Sequence, residues 1–182
     1  SVVTWCFGHL LEQAEPDAYL PDDVPRTKKG SKVWRFEDLP IYPKNWKLLP
    51  KNDKGVKKQL ATIGKLLKKA SLVVHAGDPD REGQLLVDEV LEHFRYTGRV
   101  QRFWVSAQDS ASIRKGLTNL RDNETFDGMR LAALGRSRAD WLLGMNLSRA
   151  YTLARQAQGK KELIAVGRVQ TSTLALVAKR DV

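Results

Sequence analysis

The sequence has a single cysteine, Cys6. That excludes an intramolecular disulfide and a four-cysteine zinc site. No run approaches the roughly 18 consecutive apolar residues of a membrane helix. The chain opens SVVTWCFGHL, with no basic-then-apolar leader. Collagen-like and low-complexity stretches are missing as well. With 42% hydrophobic and 29% charged residues in 182, a soluble globular protein is expected. The lack of an export signal points to a reducing cytoplasm. Outside residues 16–50 there is almost no proline, because that stretch holds six of the seven. It reads as a long excursion tacked down by Trp34, Phe36, Leu39, Ile41, Tyr42 and Trp46.

Acidic residues are the minority: 21 Asp and Glu face 31 Lys and Arg, a net charge of +10. A polyanion, most simply nucleic acid, is the natural partner. Residues 1–107 carry 18 basic and 14 acidic side chains, and residues 108–182 carry 13 and 7. Nine of the latter 13 are arginines, which suit phosphate. The first residue is Ser1, not methionine, and ALVAKRDV ends in a helix-like stretch, so a piece of a longer protein is expected.

The β-branched opening, residues 1–7, predicts a strand. Val56, Leu60, Ile63 and Leu67 recur at helical spacing over 54–69, with lysines on the solvated face. Leu72-Val73-Val74 suits a buried strand. A helix from Glu82 or Gly83 to Phe94 would turn Leu86, Val87, Val90, Leu91 and Phe94 inward. Residues 102–105 read as a second strand, and Asp109 as the cap of a helix bearing Ile113, Leu117 and Leu120. This order implies an α/β fold with crossover helices. From 126 to 158 the composition is helical, with a break near Gly144-Met145-Asn146, and a last helix runs from about Val169 to Asp181. The change of domain is placed at residue 107.

Asp78-Pro79-Asp80-Arg81-Glu82-Gly83 sets three carboxylates just past a strand, where open α/β sheets bind ligands. Asp78 and Asp80 project to one side of an extended segment. Crowded carboxylates repel one another, and a bound Mg²⁺ relieves this. Gly83 permits a backbone or phosphate to come close. The plainer alternative is an acidic loop with a helix N-cap. For a bare DxDxE the two readings are even, and the flanking strand and helix favour the metal.

AGDPDREGQLLVDEVL resembles the acidic motif of the Toprim domain, the α/β module shared by topoisomerases, primases and some nucleases. With TWCFGHLLEQAEPDAY, RADWLLGMNLSRAYT and VGRVQTSTLALVAKRD, the likeness narrows to type IA DNA topoisomerases, of the bacterial topoisomerase III kind. The resemblance implies a Rossmann-like Toprim fold, a mostly parallel sheet flanked by helices, over 1–107. An all-helical segment opening the DNA-binding domain would fill 108–182. It further implies catalytic and Mg²⁺-binding roles for Asp78, Asp80 and Glu82. Single-stranded DNA would be cut through a 5′-phosphotyrosine and resealed without ATP, since the covalent link stores the bond energy.

Arg168 and Gln170 in GRVQT, and Arg149 in the preceding match, are implied DNA contacts, and His9 an active-site neighbour. For Arg168 the plainer reading is a structural salt bridge; for Asp140 it is pairing with Arg136 or Arg138. Ser172 stands where the family has proline, a small local change. His75 reads as a core histidine, His93 as helix surface, and Trp5, Trp34 and Trp104 as core before base-stackers. The family's Glu-Lys first strand is not present, and Tyr19, Tyr42, Tyr96 and Tyr151 lack the context of its nucleophile. The chain alone is therefore expected to be inactive, a monomer, and associated with bacterial nucleoid or plasmid DNA. A stand-alone Toprim nuclease or primase-like module and a non-catalytic nucleic-acid-binding protein are the alternatives.

Overall fold

The computed structural model describes residues 1–181. Two compact units emerge, each assembled from two stretches of chain. The first combines Ser1–Glu12 with Leu48–Gly135, and the second combines Gln13–Lys47 with Arg136 onward. The expected change at residue 107 falls inside the first unit. No helix among the described residues is long and apolar enough to cross a membrane.

In the first unit, β1 (Leu11–Gln13) and β2 (Leu48–Pro50) pair as a small sheet. Asp53 then caps α1 (Lys54–Leu67), accepting from the Val56 N–H at 2.9 Å. The apolar stripe of α1 packs as its spacing predicts: Val56, Leu60 and Ile63 join Leu10, Leu11 and Val90 in one core, with Cys6, Leu67 and Phe94 against it. A second sheet has the order β3 (Leu72–His75), β4 (Arg99–Arg102), β5 (Arg121–Asp122). β3 and β4 run parallel, and β4 and β5 antiparallel, so this sheet is mixed. The crossover between the parallel strands contains α2 (Arg81–His93).

Several expectations change here. Residues 1–7 form no strand: Val2, Val3 and Trp5 are exposed, and no described strand pairs with them. Strand-like composition yields a strand only where a ladder partner exists. The second strand lies at 99–102, not 102–105, because pairing with β3 sets its extent, Leu72 opposite Arg99 and His75 opposite Arg102. β3 is a sheet edge, with Leu72 and Val74 open to solvent. On α2 the inward face is Leu85, Val90 and Leu91 together with Gln84, Asp88 and Glu89, while Leu86 and Val87 are half-buried. Asp109 does cap α3 (Ser110–Thr118), yet Ile113 and Leu117 stay exposed.

In the second unit the expected break near Gly144 is missing. α4 (Asp127–Ala157) is continuous, its first turns belonging to the first unit. Asn146 is engaged outward instead: its side chain accepts from the Ile41 N–H at 2.6 Å and donates to the Ile41 and Leu142 carbonyls. A glycine costs a helix only about 1 kcal/mol, which these contacts offset. Trp141 donates its Nε1–H to the Ala14 carbonyl at 3.1 Å and meets Tyr19 and Trp46 edge-on at 5.5 and 5.4 Å. The proline-rich excursion is thus fastened along α4, although Phe36 and Tyr42 remain exposed.

Gly159, at φ +78, takes the left-handed conformation that ends α4. The chain then doubles back along it. The Ile164 N–H donates to Thr152 Oγ1 at 2.9 Å, and the Val166 N–H to Ser148 Oγ at 2.8 Å. α5 (Arg168–Arg180) follows, with Gly167 at its N-cap.

Truncating the buried face of α1 should cost far more than truncating its wet face. Leu60→Ala is expected to lower unfolding stability in urea by about 2–5 kcal/mol. Lys65→Ala, on the exposed side, should change it by less than about 0.5 kcal/mol.

Candidate functional site

β3 ends at His75, and the chain turns through Gly77 into the acidic run. Asp80 is the N-cap of α2, its Oδ1 accepting from the Gly83 N–H at 2.7 Å. The capping role weighed from sequence is therefore real for Asp80, and it leaves the other carboxylate oxygen of Asp80 uncommitted to the cap. Asp78, Asp80 and Glu82 are all exposed. Gly83 serves a close approach, but of backbone: a Cβ there would lie 2.5 Å from the Asp78 carbonyl oxygen and 2.6 Å from its nitrogen. Among the described residues no three His, Cys, Asp or Glu side chains are grouped as a cation cage.

What fixes the turn is a residue that the sequence did not single out. Arg102, fully buried at the end of β4, sends Nη1 to the carbonyls of His75, Gly77 and Phe103 at 3.1, 2.7 and 2.7 Å. Its Nη2 reaches the Asp78 carbonyl at 2.6 Å, and its Nε reaches Gln84 Oε1 at 2.7 Å. Gln84 donates onward to Asp88 Oδ2 at 2.7 Å and Asn123 Oδ1 at 2.9 Å, and Asn123 donates to Asp88 Oδ1 at 2.9 Å. The guanidinium also lies 4.8 Å over Trp104, which stacks on Phe126 at 5.0 Å. Burial pulls the Arg102 pKa down to about 10, against the opposing charges of Asp88, Asp78 and Asp80, so it remains a cation at neutral pH.

His75 is the satisfied core histidine expected. It accepts from the Gly77 N–H at Nδ1, which leaves its Nε2–H for the Gln84 carbonyl, both at 3.2 Å. Burial first and Arg102 second hold its pKa below 6.5. His93 is on the surface, as read. Trp5 is not core, at 66% exposure.

His9 stands beside the turn. Its Nδ1 bonds Glu89 Oε2 at 3.2 Å, and its Nε2 lies 3.8 Å from Glu82 Oε2. The Glu89 bond raises the His9 pKa above 6.5, partly opposed by burial. Glu89, buried on α2, is a second residue missed by sequence. The signal for these was present: Gln84 and Asp88 sit four apart on the face that α2 buries, and Glu89 lies next to them.

In the second unit, Arg168 opens α5 and grips Asp140 with two bonds, Nε to Oδ1 at 2.6 Å and Nη2 to Oδ2 at 3.2 Å. Asp140 therefore pairs with Arg168, and with Arg136 at 3.9 Å. The Arg168 bond holds the Asp140 carboxyl below its usual range. Both partners are about two-fifths exposed, at 44% and 40%. Gln170 is exposed, its side chain folded back against Gly167. Ser172 bonds the Arg168 carbonyl within the helix at 2.8 Å. Arg149 differs from its expected setting. It is 7% exposed, with its guanidinium 4.5 Å over Trp34, one N–H on the Met145 carbonyl, and its Nε without a partner.

Two outcomes follow from this geometry. Arg102→Met would take this donor from the Gly77, Asp78 and Phe103 carbonyls and from Gln84 Oε1, and should cost about 3–5 kcal/mol in denaturant unfolding. By NMR, the His9 ring should titrate above 6.5, and Glu89→Gln should bring the midpoint down. Because folding raises this pKa, the pair's stabilisation is complete below pH 6.5 and is lost as pH rises through the raised value.

Comparison with known proteins completes the site. The Toprim domain model matches residues 1–108, and the DNA topoisomerase model residues 124–182. The chain is 50% identical to DNA topoisomerase 3 of Vibrio cholerae, over 99% of this chain and 27% of that protein. It is 46% identical to DNA topoisomerase 3 of Pasteurella multocida, over 98% and 27%. The chain thus spans about a quarter of the length of these relatives. Full-length topoisomerase I from Thermotoga maritima aligns structurally with a TM-score of 0.59 at 25% identity, over 96% of this chain and 25% of that one. A mixed-sheet unit with an acidic turn after β3, followed by a helical segment, agrees with both domain matches: the chain belongs to the Toprim family, and its helical segment matches the DNA topoisomerase model.

Proposed function

We propose that the chain supplies the metal-binding carboxylates and part of the DNA groove of a type IA topoisomerase of the topoisomerase III kind. At full length that enzyme cuts, passes and reseals single-stranded DNA through a 5′-phosphotyrosine and without ATP. The observation that carries this reading is the acidic turn, Asp78 to Glu82, anchored by Arg102 in a chain that matches Toprim and then the DNA topoisomerase helices. The second match favours this reading over a stand-alone Toprim nuclease or primase-like module. Residue 107 is then the proposed end of the Toprim domain, with the helical segment from 108. A cytoplasmic monomer working on nucleoid or plasmid DNA fits the same reading.

Toprim domains bind a divalent metal. The residues here suit Mg²⁺, a hard cation usually held by one or two carboxylates plus substrate phosphate and water. Asp78, Asp80 and Glu82 offer only oxygen donors and are open to solvent, so a three-carboxylate cage is not required. When bound, the metal supplies positive charge to the phosphate. The protein's own residues do the rest. Arg102 and Gly83 hold the turn's backbone still. His9 sets its ring beside Glu82, Nε2 at 3.8 Å from Oε2, with its pKa raised by the Glu89 bond. Arg168 has an Nη1 that Asp140 does not use, placed at a helix start where backbone N–H groups also favour an anion. Gln170 lies one turn-position further along as a strand contact. Arg149, buried under Trp34, braces this wall from inside; a direct phosphate contact would need Trp34 to move aside. Tyr96 donates to the Ala70 carbonyl and Tyr19 accepts from the Lys47 N–H, while Tyr42 and Tyr151 are exposed; none is proposed as nucleophile.

The test is plasmid relaxation by the full-length protein. Asp78→Asn with Asp80→Asn should lower Mg²⁺-dependent relaxation by about 10²–10³-fold, and Tyr151→Phe should leave it intact. Residues 1–182 alone should give neither relaxed topoisomers nor covalent adducts. Adducts lost with Tyr151→Phe would overturn the assignment.

A further inference from the structure

We infer that the second unit holds a separate cavity that binds the backbone of single-stranded DNA, between the hairpin closed by Arg26 and Lys32 and the last turns of α4. This rests on the reading that the protein acts on DNA. The cavity is about 580 Å³, and Lys28, Lys29, Trp34, Gln156 and Lys161 are among its lining.

The hairpin is a built element. Arg26 and Lys32 bridge antiparallel, the Thr27 N–H donates to the Ser31 carbonyl at 2.8 Å, and Gly30 turns at φ +88. Its base is pinned by Lys32, which is 3% exposed. The Lys32 N–H reaches Asp17 Oδ2 at 2.7 Å, and its ammonium reaches the Leu20 carbonyl at 2.6 Å. Lys28 and Lys29 are therefore carried on a fixed apex. The opposite wall, Lys161 to Leu163, is held to α4 by Arg155 on Glu162 at 2.9 Å and by Thr152 on Ile164.

Charge and chemistry select the occupant. Lys28, Lys29 and Lys161 are exposed and make no ion pair among the described residues. The cavity's acid, Glu162, is already neutralised by Arg155. The free groups are thus cationic donors, with the Gln156 amide beside them. The volume exceeds a single phosphate, and the Trp34 ring in the wall, braced by Arg149, is a stacking platform that only an unpaired base reaches. These features favour a single strand over duplex DNA, free phosphate or an acidic peptide.

The experiment measures binding of a labelled oligothymidylate to the full-length protein across a salt series, in chelator so that no metal contributes. For single strands each phosphate contact adds about 0.7 to the slope of log affinity against log salt. Lys28→Gln/Lys29→Gln/Lys161→Gln should make the slope shallower by about 2 and weaken binding at low salt. Duplex DNA, inorganic phosphate and polyglutamate should compete poorly. An unchanged slope in the triple variant would overturn the site, and equal competition by duplex or polyglutamate would overturn its occupant. Asp78→Asn/Asp80→Asn serves as the separating arm: it should lose relaxation yet keep this salt slope. Loss of relaxation there with no effect of the lysine changes would sink the cavity and leave the proposed function standing.

Discussion

A guanidinium taken out of water has to find indoor partners for its N–H groups, and Arg102 finds nearly all of them in the backbone that leads into the acidic turn. Five hydrogen bonds tie one charge to the end of β3, the turn itself, the first residue past β4, and α2 through Gln84. The compensating carboxylate, Asp88, is reached through Gln84. Carbonyl oxygens thus take the place of a salt-bridge partner. The same cation fixes the peptide of Asp78, where the acidic run begins. A set of charges held in place before a ligand arrives spends little on reorganisation when it does.

The second unit achieves a comparable fixation with neutral groups. Ser148 and Thr152, one helical turn apart on α4, take the Val166 and Ile164 amides, so the segment leading to Gly167 lies along the helix and α5 starts at a defined place. The ion pair at that start, Arg168 with Asp140, is of a different kind. Exposed pairs contribute roughly 0–1 kcal/mol, so this one adds little to stability. It holds the guanidinium in one orientation at small cost, and it leaves Nη1 for another oxygen. Arg149 shows the contrasting case: with desolvation lowering its pKa and Trp34 covering it, its charge serves packing.

The parts of this architecture legible in the sequence were those set by local rules. The stripe Val56-Leu60-Ile63 predicted the packed face of α1, and Asp109 predicted the cap of α3, because periodicity and capping are properties of a few neighbouring residues. The acidic turn and its α/β setting were legible for the same reason. Parts set by tertiary partners were not. Arg102 opened the expected second strand with no local sign of burial, yet it is wholly buried, since only the folded sheet brings five acceptors to it. Residues 1–7 have strand composition without a described partner. Gly144 suggested a break, and only the distant Ile41 shows why Asn146 keeps the helix whole. Leu86 and Val87 were assigned inward on hydrophobicity, whereas the network of Arg102 claimed that face for Gln84 and Asp88.

Charge separation within the chain gives the remaining step. An overall charge of +10 draws a polyanion from any direction, but attraction to phosphate carries no chemistry of its own. The acidic turn is the reverse: three exposed carboxylates repel a DNA strand unless a cation lies between them. Each feature is therefore poorly suited to act without the other. In the proposed function, lysines and arginines would hold the strand against the local repulsion of the turn, and the turn would take a cation before that strand comes near. Under that proposal, affinity for DNA and the chemistry would respond to different solution variables. Salt would weaken the hold of the basic groups on phosphate, and chelation would disable the turn without touching them. Such a division accounts for a basic protein that keeps its most concentrated acid at the end of one strand, locked in place by a buried arginine.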